Sequence, residues 1–229
     1  MYKTNGQIVS VTALLCTLNE AENIPLILPV IPEYVDEILI VDGHSTDGTR
    51  EVAQALCPRA RIILQPGIGK GDALKCGIAE SNSSIIVTLD ADNATNPADI
   101  PRFIDPLLNG YDFVKGSRFL KFFPRNKPLH RIIGNWIIII TFNILFIKRH
   151  TDLCSGYNAF LKKAAASIQW PQDGYENEPF LNCQAAKRGL RILEVGHQDN
   201  GRIKGDVKES SWRQGFKAMK TIIRERLDG

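Results

Sequence analysis

The chain has 229 residues, 44% of them hydrophobic and 23% charged, and a formal net charge of +3. That composition describes one globular domain able to bury a core, excludes disordered and fibrous classes, and carries too little excess charge to point to nucleic acid. Cys16, Cys57, Cys76, Cys154 and Cys183 are far apart, without a C-x-x-C pair or a zinc-finger spacing, which argues against a disulfide scaffold and a structural zinc site.

Short β-branched runs alternate with segments of helical period. Strands are expected at residues 9–17, at Glu37–Asp42, at 61–65, at Ile85–Asp90 and at Phe113–Ser117. Between them, Thr46 and Asp47 can cap a helix over Thr49–Leu56, a second helix runs over 69–80, and Pro97 stands where the first turn of another belongs. A helix from Pro179 through Arg188 is closed by Gly189. Strand ends fall about 24 residues apart, room for a loop and a helix, and near-continuous apolar strands indicate a mostly parallel sheet covered on both faces. The fold class is therefore α/β, with a soft boundary near Phe119, beyond which the alternation breaks down. The N-terminal MYKTNGQIVSV lacks the basic start and apolar stretch of a signal peptide, so a cytoplasmic chain is expected.

Two later segments are amphipathic or apolar. The run over 132–147 (IIGNWIIIITFNILFI) is shorter than the ~20 residues needed to cross a bilayer, and Asn135 and Asn143 interrupt it. It is either a buried core helix or an interfacial one, with Trp136 in the acyl boundary and Arg131, Lys148 and Arg149 near phosphates. Further on, Trp212, Phe216, Met219 and Ile223 recur at helical spacing beside Arg213, Lys217, Lys220 and Arg224. That stripe either docks on the domain or contacts a membrane or a second copy of the chain.

In an open parallel sheet, ligands gather beyond the carboxyl ends of the strands. Thr17, Asn19 and Glu20 leave the first strand there, Asp42 the second, and Asp90 and Asp92 the fourth. On an extended chain Asp90 and Asp92 point the same way and can share one hard cation, Mg²⁺ or Mn²⁺, bridging a diphosphate. The VDGHSTDGT run (41–49) reads as a turn and helix cap in which Asp42 is left to accept hydrogen bonds from a nucleoside, with His44 an exposed loop residue. The glycines around Lys70 fit neither a P-loop nor a dinucleotide fingerprint, yet their N–H groups and the lysine can attract an anion.

In order, TLNEAENI (17–24), VDGHSTDGT (41–49), GKGDAL (69–74), LDADN (89–93), GSRF (116–119), DLCSGYNAF (152–160), YENEPFL (175–181) and GLRILEV (189–195) resemble glycosyltransferase family 2 of the GT-A fold, in its dolichyl-phosphate mannosyltransferase and polyprenyl-phosphate branch. The resemblance implies an inverting enzyme with a nucleoside-diphosphate-sugar donor, Mn²⁺ or Mg²⁺, and a polyprenyl phosphate acceptor at the cytoplasmic membrane surface. It divides a domain at 1–210 into a nucleotide-sugar half to about 118 and an acceptor half from about 119, followed by a basic amphipathic helix over 211–229. Thr17, Asn19, Glu20 and Asp42 would serve the nucleoside. Lys70, Asp90, Ala91, Asp92 and Arg118 would serve the diphosphate, with Asp90 and Asp92 on the metal and Arg202 and Lys208 closing over the site. Asp152 is the first candidate base, Glu176 and Glu178 are the alternatives, and Arg131 and Ser155 fall on the acceptor side.

Several positions depart from the family pattern. Cys16 and Leu18 replace the Pro and Tyr of P-x-Y-N-E, Gly43 the second Asp of V-D-D-G-S, and His197 the Ile of E-V-P-I. Ala94 stands for the Gln expected as a third metal ligand, with Asn93 a substitute. A soluble or glycan hydroxyl acceptor and a non-catalytic nucleotide-sugar binding module remain as alternatives. A nucleotidylyltransferase would need a Gly-rich, Arg-containing loop where TLNEAEN stands.

Overall fold

The structure is a computed structural model, and it describes residues 1–4, 6–120, 129–169, 177–201, 204 and 211–228. Strands β1 (Tyr2–Thr4) and β2 (Gln7–Val9) form a small antiparallel hairpin. The central sheet comprises β3 (Val11–Thr17), β4 (Glu37–Asp42), β5 (Arg61–Leu64), β6 (Ile85–Asp90), β7 (Phe113–Ser117), β8 (Asn158–Leu161) and β9 (Ile192–Gly196), in the order β5-β4-β3-β6-β8-β7-β9. Parallel register sets Thr17 opposite Asp42 and Cys16 opposite Asp90, so three expected site positions share one edge of the sheet.

The expected alternation of strand and helix is found, with α1 (Ile24–Ile27), α2 (Thr49–Leu56), α3 (Lys70–Glu80) and α4 (Ile100–Leu108) as the crossovers. Later come α5 (Leu129–Phe146), α6 (Lys162–Ala166), α7 (Asn177–Lys187) and α8 (Ser211–Leu227). Details differ from expectation for local reasons. Pro97 opens a single 3-10 turn, capped by Asn96, before α4 begins. At α2 the cap position belongs to Gly48 with a left-handed φ of 87°; Asp47 accepts from the Thr49 N–H at 3.0 Å, while Thr46 is held by Asn19. Helix α7 starts at Asn177, putting Pro179 in its first turn, where its missing N–H costs nothing.

Both faces of β3, β4, β6 and β7 are buried, which explains their unbroken apolar runs. Val11, Ala13, Leu15, Ile38, Ile40 and Val87 pack with Phe103 and Ile104 of α4, while the alternate residues Leu14, Leu39, Val41 and Ile86 pack with Leu74 and Ile78 of α3 and Phe180 and Leu181 of α7. A third cluster joins Ile138 and Phe142 of α5, Cys183 of α7, and Ala218 and Ile222 of α8.

Strands β1, β8 and β9 were not announced by the sequence, and β8 matters most to the site. It lies antiparallel between β6 and β7, pairing Asn158 with Thr88 and with Lys115. Because it runs against its neighbours, the residues before it, 152–157, arrive at the carboxyl edge of β6 and β7. That reversal brings the DLCSG segment onto the rim that carries Asp90.

Candidate active site

The rim begins with a hydrogen-bonded cluster around Asp42. Its carboxylate is fully buried and accepts from Thr17 Oγ1 (2.9 Å), Ser45 N (2.8 Å) and Ser45 Oγ (2.6 Å). Asn19, at a left-handed φ of 51°, donates its N–H to Ser45 Oγ and accepts the Thr46 N–H on Oδ1. Glu20 is buried, accepts from Asn23 Nδ2 at 2.7 Å, and donates its backbone N–H to Thr49 Oγ1. The ends of β3 and β4 are thus locked together by Thr17 and Asn19, expected at the nucleoside, and by Ser45, from the run read as a turn and helix cap. His44 is exposed as expected, with Nε2 3.0 Å from the Gln65 carbonyl.

At the centre of the rim, Lys70 Nζ lies 2.8 Å from Asp90 Oδ1 and 2.5 Å from Glu178 Oε1. Burial works against ionisation of Asp90, but the Lys70 ammonium, with Arg118 and His197 further off, holds its pKa below the usual carboxylate range. Burial likewise works against the Lys70 ammonium, and the two carboxylates overcome it, raising the lysine well above its ordinary value. A β-carbon on Gly156 would lie 2.4 Å from both Asp90 oxygens, so the carboxylate rests directly on the backbone of the DLCSG segment. Ala91 is buried, and Asp92 accepts the Ala94 N–H at 3.1 Å, with Asn93 in the left-handed region at φ 65°.

On the acceptor side, Asp152 is fully buried and grips Arg118 through Nε (2.6 Å), Nη2 (2.8 Å) and the backbone N–H (3.1 Å). Burial opposes its charge, yet the guanidinium holds its pKa far below the usual carboxylate range. A carboxylate so committed is a poor proton acceptor at neutral pH, and the geometry makes it the positioning partner of Arg118. Beside it lies Lys115, fully buried, its pKa lowered by desolvation against the pull of Asp152 and Glu194. Glu194 accepts from the Thr151 and Asp152 N–H groups at 2.9 to 3.2 Å, fixing the start of the loop. Ser155, expected on the acceptor side, is buried with Oγ 2.8 Å from His197 Nε2. Lys115 and Glu194 escaped sequence reasoning, although a lysine inside the apolar FVKGS strand was a usable signal, and His197 was noted only as a departure from the family pattern.

Glu176, Arg202 and Lys208 lie outside the described residues, and Arg131 belongs to α5 without a described side chain. Cys16, beside the rim, is pushed up to about 12 by burial and acts as a neutral packing residue. Among the described residues no group of three His, Cys, Asp or Glu is placed to hold a metal by itself.

Helices α5 and α8 pack against each other and expose large apolar side chains. Trp212 is 79% and Phe216 73% exposed, Ile144 is 71%, and Ile133, Trp136, Ile137 and Ile140 are each half exposed. Trp212, Phe216 and Ile223 of the α8 stripe therefore point outward, while Met219 packs with Ala218 and Ile222 on the docking side. No described helix is long and apolar enough to cross a membrane.

The model for glycosyl transferase family 2 matches residues 12–168, from β3 through α6. The chain belongs to glycosyltransferase family 2. Within curated relatives, glycosyltransferase AglJ of Haloferax volcanii is 34% identical over 191 residues, which are 81% of this chain and 61% of that protein, so the chain spans less than two thirds of its length. The dolichyl-phosphate hexose transferase of the same organism is 29% identical over 216 residues, 93% of this chain and 92% of that one. A solved structure of glucosyl-3-phosphoglycerate synthase from Mycobacterium tuberculosis, in complex with Mn²⁺, UDP and phosphoglyceric acid, superposes with a TM-score of 0.76 at 22% identity, over 95% of this chain and 78% of that one. The family member described here has the GT-A fold expected from its motifs.

Proposed function

We propose that this chain transfers a glycosyl group, with inversion, from a UDP- or GDP-sugar to a polyprenyl phosphate, using Mn²⁺ or Mg²⁺ at the surface of a membrane. The observation that carries this reading is the convergence of Asp42, Asp90, Lys70, Arg118 and Glu178 on one rim of the sheet. Asp42, fully buried on Thr17 and Ser45, anchors the wall for the nucleoside that Asn19 and Glu20 help to shape. Arg118, aimed by Asp152, and Lys70 supply cationic donors for a diphosphate.

The residues present fit a divalent ion. Hard Mg²⁺-type cations are held by one or two carboxylates plus substrate phosphates and waters, which suits the two-carboxylate set of Asp90 and Asp92. A cation, the Lys70 ammonium, already sits on Asp90. When bound, the ion supplies neutralisation of the charge developing on the departing diphosphate. Arg202 and Lys208 would add to that neutralisation.

A phosphate acceptor is already ionised near pH 7, so positioning by cations suffices and no base is needed. With a hydroxyl acceptor, Glu178 is the described carboxylate at hand, Glu176 the neighbouring candidate, and Asp152 is withdrawn by its buried pairing. The lipid acceptor is favoured by the outward apolar face of α5 and α8, where Arg213, Lys217 and Lys220 are exposed, and by likeness to a protein named dolichyl-phosphate hexose transferase. Arg131 and Ser155 are assigned to the acceptor by the family resemblance alone; Ser155 is buried against His197.

The test is thermal unfolding with UDP, GDP, CMP and dTDP, each with and without Mn²⁺. Ligand at 100 times its dissociation constant adds about 2.7 kcal/mol, which raises Tm by roughly 5–11 °C for a domain this size. A shift with UDP or GDP that requires Mn²⁺ and disappears in Asp92→Asn is the expected result. Absence of a shift with every nucleotide, or a full shift in Asp92→Asn, would overturn the assignment.

A further inference from the structure

Lys70 occupies a position that its own helix does not favour. It is the first residue of α3, where the partial positive charge of the helix terminus repels an ammonium and attracts an anion. Two carboxylates from distant parts of the chain hold it there, Asp90 at the end of β6 and Glu178 in the first turn of α7. The backbone around it is fixed by close packing, since a β-carbon on Gly71 would lie 2.3 Å from Asn177 Oδ1. The side chain itself remains 40% exposed.

We infer that Lys70 is a placeholder cation: in the donor-free protein its ammonium neutralises Asp90 and Glu178, and it leaves Asp90 when a divalent ion and diphosphate enter together. This rests on the metal reading of Asp90 and Asp92. Two carboxylates facing each other across the rim without a cation would repel, so the ammonium keeps the empty site assembled. An incoming diphosphate offers Lys70 and the α3 N–H groups an anion in the place both prefer, and Asp90 is released to the metal. The consequence is ordered loading. The metal alone must displace an ammonium, whereas the metal with its nucleotide gives that ammonium a new partner.

The experiment measures Mn²⁺ binding by electron paramagnetic resonance of the free ion, for the wild-type chain, Lys70→Met and Lys70→Arg, each with and without UDP and GDP. Without nucleotide, Lys70→Met should bind Mn²⁺ about tenfold more tightly than wild type, because two partly exposed ion pairs no longer compete. Lys70→Arg, which keeps a cation on the two carboxylates, should remain close to wild type. With nucleotide, Lys70→Met should lose its advantage, since the diphosphate lacks its lysine. If wild type binds Mn²⁺ with nucleotide but Lys70→Met shows no gain without it, the placeholder role fails while the metal site stands. If no variant binds Mn²⁺ under any condition, the metal reading fails and takes this inference with it. Equal thermal stability of the three proteins confirms that folding is not the cause of any difference.

Discussion

Replacing Asp152 by Asn removes one charge from a buried pair without changing its volume. Asp152 is fully buried, Arg118 is 16% exposed, and the carboxylate accepts two side-chain and two backbone hydrogen bonds, from Arg118 and from Cys154 N–H. Leaving the partner of a buried pair uncompensated costs about 3–5 kcal/mol, and the residual exposure of Arg118 places this case at about 3 kcal/mol. For a domain of this size that corresponds to a fall in Tm of roughly 6–12 °C at pH 7. Because the folded-state pKa of Asp152 is depressed, its contribution is present above the unfolded value of about 4 and is lost as pH falls below it. Differential scanning calorimetry of wild type and variant from pH 7 to pH 3 should therefore show two curves that converge toward acid. In steady-state assays the variant should raise the donor KM through a misplaced Arg118 while keeping the wild-type pH profile of kcat. A variant with unchanged Tm, a collapsed kcat and a vanished acidic limb would mark Asp152 as the base and refute this reasoning.

Three further outcomes follow from the same geometry. His150 is pushed down to about 3, chiefly by burial and also by Lys115 and Lys148, so it is neutral at pH 7 and its 3.7 Å approach to Glu194 is not an ion pair. Its contribution is intact above the unfolded value of about 6.5 and declines toward acid, so urea titrations of His150→Gln should lose about 1 kcal/mol less per pH unit between pH 6 and 4 than wild type. Gly156→Ala sets a methyl group 2.4 Å from the Asp90 oxygens; the mobile carboxylate yields rather than the fold, so Tm should change by only a few degrees while Mn²⁺-dependent nucleotide binding weakens at least tenfold by calorimetry. Trp212→Ser with Phe216→Ser alters only outward side chains, so the fold should persist while sedimentation with phosphatidylserine-containing vesicles is lost. Retained sedimentation would refute a membrane contact through α8.

Most of the sheet and one side of the site were legible in the sequence because they depend on short-range patterns. Apolar runs ending in Asp42 and Asp90 set the strands, and a parallel arrangement then placed those carboxylates on one rim. What stayed hidden depends on contacts between distant segments. Four residues, NAFL, carry too little periodicity to reveal β8, yet its reversal is what delivers Gly156 and Asp152 to the rim. Arg118 and Asp152 are 34 residues apart, and Lys70 and Glu178 are 108 apart, so neither pairing has a local signature. The α8 stripe showed amphipathicity but not which face would be covered, and the small residue Ala218, with Ile222, proved to be the docking side.

The central claim is transfer of a sugar onto a lipid phosphate, and partition of radioactive label tests it most directly. Each of UDP-glucose, UDP-N-acetylglucosamine, GDP-mannose and related donors, labelled in the sugar, is incubated with the chain, Mn²⁺ and vesicles containing polyprenyl phosphate. The account predicts label in the organic phase with one donor class, dependent on Mn²⁺ and absent in Asp92→Asn. Label that remains aqueous with every donor, while the same donors bind, would contradict it and assign the chain to a soluble acceptor or to binding without transfer.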